Sequence, residues 1–416
     1  MRLIIQKYGG TSVATPERIC NVARRIIETQ REGCRVVAVI SAMAGVTDEL
    51  IKLARGVSAH PTERELDILL ATGEHAATAL TTMAVNALGG TAISLTGAQA
   101  GILTDRNHTK ARIANISPKQ IHEMLSEDYI VIVAGFQGQT PEGETTTLGR
   151  GGSDLTAIAL AGALNADVCQ IFTDVDGVFT CDPRAVLDAK KLNEIAYDEL
   201  LEMAGSGSKV MQSRAVEFAK KFGVEFEVRS SFNKSSGTIA KEETASMEDV
   251  VIRGISLDRH QAKLSIAGAR DEPGIAGWIF SNIAAAHIIV DMIVQNASIG
   301  GTIDISFTIH EDELDNARKI LMPVVGQIGA KRLNTTSGMA KLSVVGIGMR
   351  SHSGVAARMF ECLGRSGINI QLVSTSEIKI AVIIDEKEAD RAAQLIHAEF
   401  GLARLLPAAS ATRPLA

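Results

Sequence analysis

The second half of the chain repeats itself, and this repeat constrains the fold more than any other feature of the sequence. Ala262-Lys263-Leu264-Ser265-Ile266 recurs as Ala340-Lys341-Leu342-Ser343-Val344, and Pro273-Gly274-Ile275-Ala276 recurs as Ser353-Gly354-Val355-Ala356. Further along, Phe280 matches Phe360, and Ile288-Ile289 matches Ile368-Asn369. Each copy has the pattern of a strand, a loop, a helix and another strand, so the sequence predicts two βαββαβ units in tandem.

The first half of the chain alternates short apolar segments with helical patterns. This alternation predicts an α/β fold in which a mainly parallel sheet lies between two layers of helices. Ligands collect at the carboxyl ends of such strands, so the loops after Lys7, Ile40 and Thr173 are expected to converge. The predicted strands are Leu3–Lys7, Arg35–Ile40, Ala92–Leu95, Tyr129–Phe136 and Val168–Thr173, and the predicted helices are Pro16–Thr29, Glu63–Leu88, Pro118–Ser126, Leu155–Leu164 and Ser208–Phe222.

Composition narrows the class of protein. The length of 416 residues predicts two or three domains, and 46% hydrophobic with 22% charged residues is typical of a globular protein. A net charge of −6 argues against a dedicated surface for nucleic acid or for an anionic membrane. The start lacks the features of a signal peptide, and no apolar run reaches the roughly 18 residues of a membrane span. Five scattered cysteines without a CxxC pair indicate a reducing, cytoplasmic setting.

Polar residues at 233–249 read as a linker between the two halves. The expected domains are therefore an α/β domain at 1–232, the linker at 233–249, and the repeated units at 250–337 and 338–416. The tail from about Leu406 is small, polar and proline-bearing, and is expected to fray.

A glycine-rich segment, Leu148-Gly149-Arg150-Gly151-Gly152-Ser153-Asp154-Leu155-Thr156, is the strongest candidate for a ligand site. Its glycines let the backbone approach an anion, and the guanidinium of Arg150 can clamp a carboxylate or a phosphate. We expect Ser153 or Asp154 to cap the apolar helix that starts at Leu155, which brings free N–H groups and a positive helix end to the same place.

Two further segments follow predicted strands. Lys7-Tyr8-Gly9-Gly10-Thr11-Ser12 suits a phosphate cradle, although it lacks the spacing of a Walker A loop and its glycines fit an ordinary turn equally well. Ser41-Ala42-Met43-Ala44-Gly45-Val46-Thr47 leaves room for a ligand, but helix capping by Ser41 or Thr47 explains it equally well. Glu74 lies inside a long helical pattern, where a solvated side chain is the ordinary interpretation.

A last pair of segments carries acidic, glycine and basic residues. Thr173-Asp174-Val175-Asp176-Gly177-Val178-Phe179, followed by Asp182-Pro183-Arg184, reads either as a solvated turn or as a loop that holds a nucleotide. Gly205–Lys209 is expected to open a helix over Val210–Phe222. A lysine at a helix start opposes the helix dipole, which indicates an anion there.

These residues together resemble the monofunctional aspartate kinases of the amino-acid kinase superfamily, with two C-terminal ACT domains. The likeness covers essentially the whole chain, and the motifs match in order and spacing. It implies the three-layer αβα amino-acid kinase fold followed by two ferredoxin-like ACT domains. It also implies transfer of a phosphoryl group from MgATP to the β-carboxylate of L-aspartate, which yields 4-phospho-L-aspartate, the entry to lysine, threonine and methionine synthesis. The metal is expected to be carried by ATP rather than by a site of the protein.

The resemblance assigns roles to matching positions. The catalytic residues would be Lys7, Asp154 and Lys209. Aspartate would be held by Thr47, Glu74, Arg150, Gly151, Gly152 and Ser153. The nucleotide would contact Lys7, Gly9, Gly10, Ser41, Thr173, Asp174, Phe179, Arg184 and Lys209.

The ACT resemblance implies that free amino acids, lysine or threonine or both, bind and inhibit. The matching positions are Asp271, Gly274, Ile275, Ala276, Asp291 and Gln295 in the first unit, and Val355, Ala356, Asn369, Ile370, Ser376 and Glu377 in the second. Ser353 replaces the usual proline of the second unit, which frees the φ angle of that loop. A homo-oligomer is expected, or an assembly with a shorter regulatory chain that begins at Met247.

Alternative functions remain open at this point. Another amino-acid kinase, acting on acetylglutamate, glutamate or UMP, would share the catalytic fold, although Glu74 and the ACT pair argue against it. A catalytically silent amino-acid sensor would share the whole architecture. The presence of Lys7, Arg150, Asp154 and Lys209 argues against that alternative.

Overall fold

A computed structural model describes residues 1–208, 210–242, 251–296, 300–347, 349 and 354–403. Their contacts divide them into two compact units. The first unit comprises 1–178, 191–204 and 210–242, and the second comprises 179–190, 205–208 and the described residues from 251 onward. Within the described residues, no helix is both long and apolar enough to cross a membrane.

The described residues of the first unit form twelve strands and seven α-helices, in the alternating order that the sequence predicts. In chain order these are β1 (Leu3–Tyr8), α1 (Pro16–Arg31), β2 (Arg35–Ile40), α2 (Val46–Val57), α3 (Glu63–Ala87), β3 (Ala92–Leu95), β4 (Ile102–Thr104), β5 (Ile113–Ile116), α4 (Lys119–Ser126), β6 (Ile130–Ala134), β7 (Gln137–Gln139), β8 (Thr145–Thr147), α5 (Gly152–Leu164), β9 (Val168–Thr173), β10 (Glu194–Ala196), α6 (Tyr197–Gly205, whose last residue belongs to the second unit), α7 (Ser213–Phe222), β11 (Phe226–Ser230) and β12 (Thr238–Lys241).

The main sheet of this unit has the strand order β10-β12-β11-β9-β1-β2-β6-β3. Its pairs are parallel except β11 with β12. The prediction of a mainly parallel sheet is therefore confirmed. Because β9, β1, β2 and β6 are neighbours that run in the same direction, their carboxyl ends meet at one edge, as expected for the three loops. A smaller sheet of β5-β4-β7-β8 leads into the glycine-rich segment.

Apolar side chains on the two faces of the main sheet pack against different helices. One cluster joins alternate strand residues to α1 and α3, with Tyr8, Ile26, Ala38 and Ile132 fully buried. The other face receives α5, which is apolar on nearly every side and is buried along most of its length. A helix of that kind is stable only inside a core, which is why α5 lies directly on the sheet.

The second unit contains the predicted repeat. In chain order its elements are β13 (Val251–Arg270), α8 (Ile275–Ala285), β14 (Ile293–Asn296), β15 (Thr302–His310), α9 (Leu314–Gln327), β16 (Arg332–Ile347), α10 (Val355–Arg365), β17 (Leu372–Thr375), β18 (Lys379–Asp385) and α11 (Ala389–Glu399). The strands form one antiparallel sheet in the order β14-β15-β13-β16-β18-β17. Each repeat buries its own apolar core against its own pair of helices.

The two repeats are interlocked through their long strands. Residues 261–270 of β13 pair with β15 in the first repeat, but 251–258 pair with 341–347 of β16 and complete the sheet of the second. The expected boundary between 337 and 338 therefore falls inside β16. The second repeat supplies strands β16, β18 and β17 of its own sheet. Its fourth strand is 251–258 of β13, which precedes the first repeat in the sequence.

Three local expectations are wrong. Part of the expected linker is β12, which pairs with β11 and β10 in the main sheet. Helix α5 begins at Gly152 rather than at Leu155, so Ser153 and Asp154 lie in its first turn and do not cap it. Helix α7 begins at Ser213 rather than near Lys209. The helix-dipole argument for an anion at Lys209 therefore no longer holds.

Candidate active site

The predicted loops are tied together by backbone hydrogen bonds at the carboxyl edge of the main sheet. The N–H of Gly9, after β1, donates to the carbonyl of Phe172 in β9 at 3.2 Å. The N–H of Ser41, after β2, donates to the carbonyl of Tyr8 at 3.1 Å. The structure therefore brings three segments that are distant in sequence to one place.

Lys7 and Asp154 form an ion pair at this edge. Tyr8 stacks on Phe172 with ring centroids 4.7 Å apart on the α1 and α3 face, and side chains alternate along a strand, so Lys7 points to the α5 face. There its Nζ lies 2.5 Å from Oδ1 of Asp154, with 10% and 13% of the two side chains exposed. Gly9 has no side chain to cover the ammonium group. The arrangement holds a largely buried cation at a strand end, beside a glycine whose Cβ would lie 3.4 Å from the ammonium.

The glycine-rich segment forms a tight turn before α5. Gly151 has φ +74°, and a Cβ there would lie 2.0 Å from Cγ of Gln212, so a side chain is excluded. No side chain caps the first turn of α5; the N–H of Gly152 donates to the carbonyl of Gly149 and that of Asp154 to the carbonyl of Gly151, and the positive end of the helix dipole faces the turn. Arg150, directly before this turn, is exposed. The turn therefore offers a guanidinium and a positive helix end to an anion.

Two contacts that sequence reasoning missed hold this turn in place. The guanidinium of Arg214 donates to the carbonyls of Leu148 and Ala111, each at 2.6 Å, and burial lowers the pKa of Arg214. Arg214 follows a weak helix start and has no motif around it, so no sequence signal marks it. Ser153 packs against Gly135 at the end of β6, where a Cβ would lie 2.9 Å from its Oγ. These contacts fix the glycine-rich turn to the sheet.

Glu74 is buried rather than solvated, with 4% of its surface exposed. Its Oε1 accepts a hydrogen bond from the N–H of Ala42 at 3.2 Å, while Oε2 has no partner among the described residues. Burial is the main cause that raises the pKa of Glu74 to about 7. Its neighbour Gly73 packs against Val46 of α2, the helix that carries Thr47. A buried carboxylate with one free oxygen suits a cationic group.

The loop after β9 is organised by hydrogen bonds that sequence reasoning also missed. The amide of Asn233 donates to Oδ1 of Asp176 at 2.7 Å. The hydroxyl of Ser12 donates to Ser231 at 2.9 Å, and Ser231 donates to the carbonyl of Thr173 at 3.2 Å. The loop is therefore fixed to the segments after β1 and β11, while the side chain of Asp174 is exposed.

The other residues assigned to the nucleotide belong to the second unit. Phe179 packs against the core of the second repeat. The guanidinium of Arg184 pairs with the carboxylate of Asp182 at 2.7 Å, and this pairing lowers the pKa of Asp182. Lys209, Met247 and Ser353 lie outside the described residues.

The expected amino-acid contacts of the second unit fall at equivalent places in the two repeats. Gly274 is the N-cap of α8, with Ile275 and Ala276 in its first turn, and Val355 and Ala356 begin α10. Asp291, Asn369 and Ile370 lie between the helix and the next strand, and Gln295 lies in β14. Asp271, Asn369, Ser376 and Glu377 are exposed. Sequence reasoning did not anticipate that Asp291 already pairs with Lys341.

Comparisons with known proteins agree along the whole length of the chain. The model of the amino acid kinase family matches residues 2–230, and that of the ACT domain matches 264–322 and 342–400. The aspartate kinase Ask_LysC of Stutzerimonas stutzeri is 49% identical over 403 residues, which covers 97% of this chain and 98% of that protein. The aspartokinase of Pseudomonas aeruginosa is 50% identical over 404 residues with the same coverage. The structure of Escherichia coli aspartokinase III with aspartate and ADP matches with a TM-score of 0.80 at 25% identity, covering 95% of this chain and 99% of that one.

Proposed function

The chain belongs to the aspartate kinases of the amino-acid kinase family, and on this premise we propose which of its residues carry the reaction and its regulation. The enzyme transfers the γ-phosphoryl group of ATP to the β-carboxylate of L-aspartate, which yields 4-phospho-L-aspartate and ADP. One observation supports the location of this chemistry above the others. Lys7, Asp154 and the turn around Arg150 meet at the carboxyl edge of the parallel strands.

The reaction needs cations more than it needs a base. The carboxylate of aspartate has an ordinary pKa of about 4 and is already ionised near neutral pH. The difficulty is to bring this anion against the phosphates of ATP, which requires positive charge and oriented N–H groups. Lys7 faces the transferring phosphoryl group, Asp154 orients Lys7, and Lys209 contacts the ATP phosphates. The positive end of the α5 dipole adds to this positive charge, and Gly9 and Gly10 let the backbone approach the phosphates.

Magnesium fits this site as a companion of the nucleotide. Mg2+ in such enzymes is commonly bound through one or two carboxylates and the substrate phosphates, and it keeps several waters. Asp154 supplies a carboxylate at the site, and it lies 2.5 Å from Lys7, where it also balances the lysine charge. When bound, Mg2+ would neutralise charge on the phosphates. Asp154 is then the residue of this chain that orients Lys7 or the shell of the metal.

Aspartate is recognised at both of its charged ends. Arg150 and the turn Gly151–Ser153 hold a carboxylate, since a guanidinium and helix N–H groups are matched to that group. Glu74 receives the ammonium group on Oε2, which has no partner among the described residues, with Thr47 beside it. A buried carboxylate that must find a cation discriminates against acylated amino acids, because these lack the positive charge.

The nucleotide lies over Thr173 and Asp174, with Ser41 near its phosphates. Phe179 and Arg184 are assigned to the nucleotide from the family resemblance alone, and Arg184 pairs with Asp182. Regulation is assigned to the two ACT domains, where lysine, threonine or both stabilise a state of low activity. The enzyme acts in the cytoplasm as a homo-oligomer or with a shorter regulatory chain.

Trapping the acyl phosphate with hydroxylamine tests this proposal directly. We expect hydroxamate from aspartate and ATP, little from glutamate or acetylglutamate, and a lower initial rate when millimolar lysine and threonine are both present. Hydroxamate from glutamate or acetylglutamate instead would place the chain with another amino-acid kinase. No product from any acceptor would favour a silent sensor, and initial rates unchanged by both amino acids would contradict the regulatory role.

Replacing Arg150 by alanine should weaken the apparent affinity for aspartate far more than that for ATP. The exposed guanidinium is expected to pair with a carboxylate of aspartate, and losing such a charged contact costs on the order of 2–5 kcal/mol. Initial-rate measurements with each substrate varied in turn give the two KM values. The exposed Arg55 of α2 offers a matched control, and Arg55→Ala should leave both values unchanged. Equal losses for both substrates in Arg150→Ala would place Arg150 elsewhere.

A further inference from the structure

Lys341 is a buried lysine of the second unit that the reaction does not account for. Its side chain is 1% exposed, and its ammonium forms an ion pair with Asp291 and lies 3.6 Å from Oδ2 of Asp258. The same ammonium donates to the carbonyl of Gly205 at 3.3 Å. A buried cation requires such partners, so each contact stabilises the charged form.

The segment that Lys341 contacts, Gly205–Ser208, is held tightly from a second direction. The side chain of Ser206 is fully buried. Gly207 has φ +106°, and a Cβ there would lie 2.2 Å from the carbonyl oxygen of Leu257. A side chain at position 207 would therefore require the backbone to shift. The chain continues directly from this segment into Lys209.

The repeat contains a second lysine that serves as an internal comparison. Lys263 is the counterpart of Lys341, and Gln371 is the counterpart of Asp291. The Nζ of Lys263 donates to Oε1 of Gln371 at 2.7 Å, just as Lys341 pairs with Asp291. The second pair has a carboxylate in place of an amide and an added contact with Gly205. The lysine that reaches Gly205 is thus the one whose partner is a carboxylate.

We propose that Lys341 is a positioning residue that fixes the backbone leading into Lys209 through its hydrogen bond to Gly205. We further propose that an amino acid bound at the first ACT domain changes this hydrogen bond through Asp291. An amino acid whose ammonium pairs with Asp291 takes this carboxylate away from Lys341. The hold on Gly205 then differs between the free and the occupied states, which is a differential contact of the kind that couples two sites. This inference rests on the proposed roles of Lys209 and Asp291.

Lys341→Met in the full-length enzyme tests the inference, with Lys263→Met as the matched control. We expect Lys341→Met to raise the KM for ATP roughly tenfold, within the usual range of coupling between sites, and to leave the KM for aspartate unchanged. Lys263→Met should leave both values at the wild-type level. A KM for ATP that stays at the wild-type level in Lys341→Met overturns the inference, and so does an equal rise for both substrates.

Asp291→Asn keeps the test decisive if Lys341→Met does not fold, because Lys341 retains Asp258 in that variant. Without any added amino acid, Asp291→Asn should raise the KM for ATP and not that for aspartate, and an unchanged KM for ATP contradicts the inference.

Lys209→Met separates the inference from the proposed function. If Lys209→Met keeps the wild-type kcat, the role of Lys209 is wrong. If Lys209→Met is inactive while Lys341→Met and Asp291→Asn behave as wild type, the inference alone is wrong.

Discussion

Replacing Lys7 by methionine should lower kcat by roughly a thousandfold, the upper range for loss of one preorganised donor at a developing charge. The ammonium of Lys7 lies at the end of β1, and only 10% of its side chain is exposed, so water screens its charge poorly. Methionine preserves the length and volume of the side chain while removing the charge. Hydroxamate formation at saturating substrates measures the loss.

The partner of Lys7 provides the control for this result. Lys7→Met leaves the carboxylate of Asp154 without its cation, and an unpaired, largely buried charge lowers stability by itself. Adding Asp154→Asn removes that charge and should restore the melting temperature without restoring kcat. Recovery of activity in the double variant would show that the single variant failed through instability. Lys119→Met changes an exposed lysine of α4 and should match the wild-type enzyme.

Replacing Glu74 by glutamine should raise the KM for aspartate by about 30-fold to several thousandfold and leave the KM for ATP unchanged. Glutamine can still accept the hydrogen bond from the N–H of Ala42, so the position of the side chain is kept while its charge is lost. Glu63→Gln is the matched control, since Glu63 is an exposed glutamate at the start of the same helix. An aspartate KM within the wild-type range in Glu74→Gln would remove Glu74 from the substrate site.

The pH profile of the same variant gives a second readout. Because burial raises the pKa of Glu74 to about 7, its carboxylate is increasingly protonated below that pH and cannot pair with an ammonium group. The wild-type kcat/KM for aspartate should therefore fall as the pH drops through about 7, and Glu74→Gln should lack this pH dependence.

A carboxyl group with a raised pKa in the folded state stabilises the protein at low pH, and this contribution is lost as the pH rises through about 7. Glu74→Gln should then melt at a higher temperature than the wild-type enzyme at about pH 8.

The sequence was sufficient to predict the layout of the catalytic half. The alternation of apolar strands and helices predicted the parallel sheet, and the parallel sheet predicted that the segments after Lys7, Ile40 and Thr173 would meet. The structure confirms both. Lys7 was predicted from the segment after β1 that suits a phosphate cradle, but the ion pair with Asp154 depends on where α5 starts.

Other features depend on tertiary contacts that no local pattern records. In the sequence, Glu74 cannot be told apart from any other glutamate of a helix. Its burial depends on the loop after β2, whose Ala42 donates to it. Arg214 supports the glycine turn from more than sixty positions away, through carbonyl groups that any residue supplies. Helix α5 begins before the predicted Leu155 because Gly151, with its positive φ angle, forms the turn into the helix without a side-chain cap. The crossing of β13 between repeats was hidden because its first half lies before the repeated sequence begins.

That crossing strand bears on how such a regulatory pair is inherited. Neither repeat can be gained, lost or exchanged as a separate domain, because removing one repeat also removes a strand from the sheet of the other and exposes an unpaired strand edge. A break in the chain that keeps both repeats complete must therefore lie outside the pair, for example upstream of Val251. A truncated product translated from Met247 would keep the pair whole, whereas a start a dozen codons later would not.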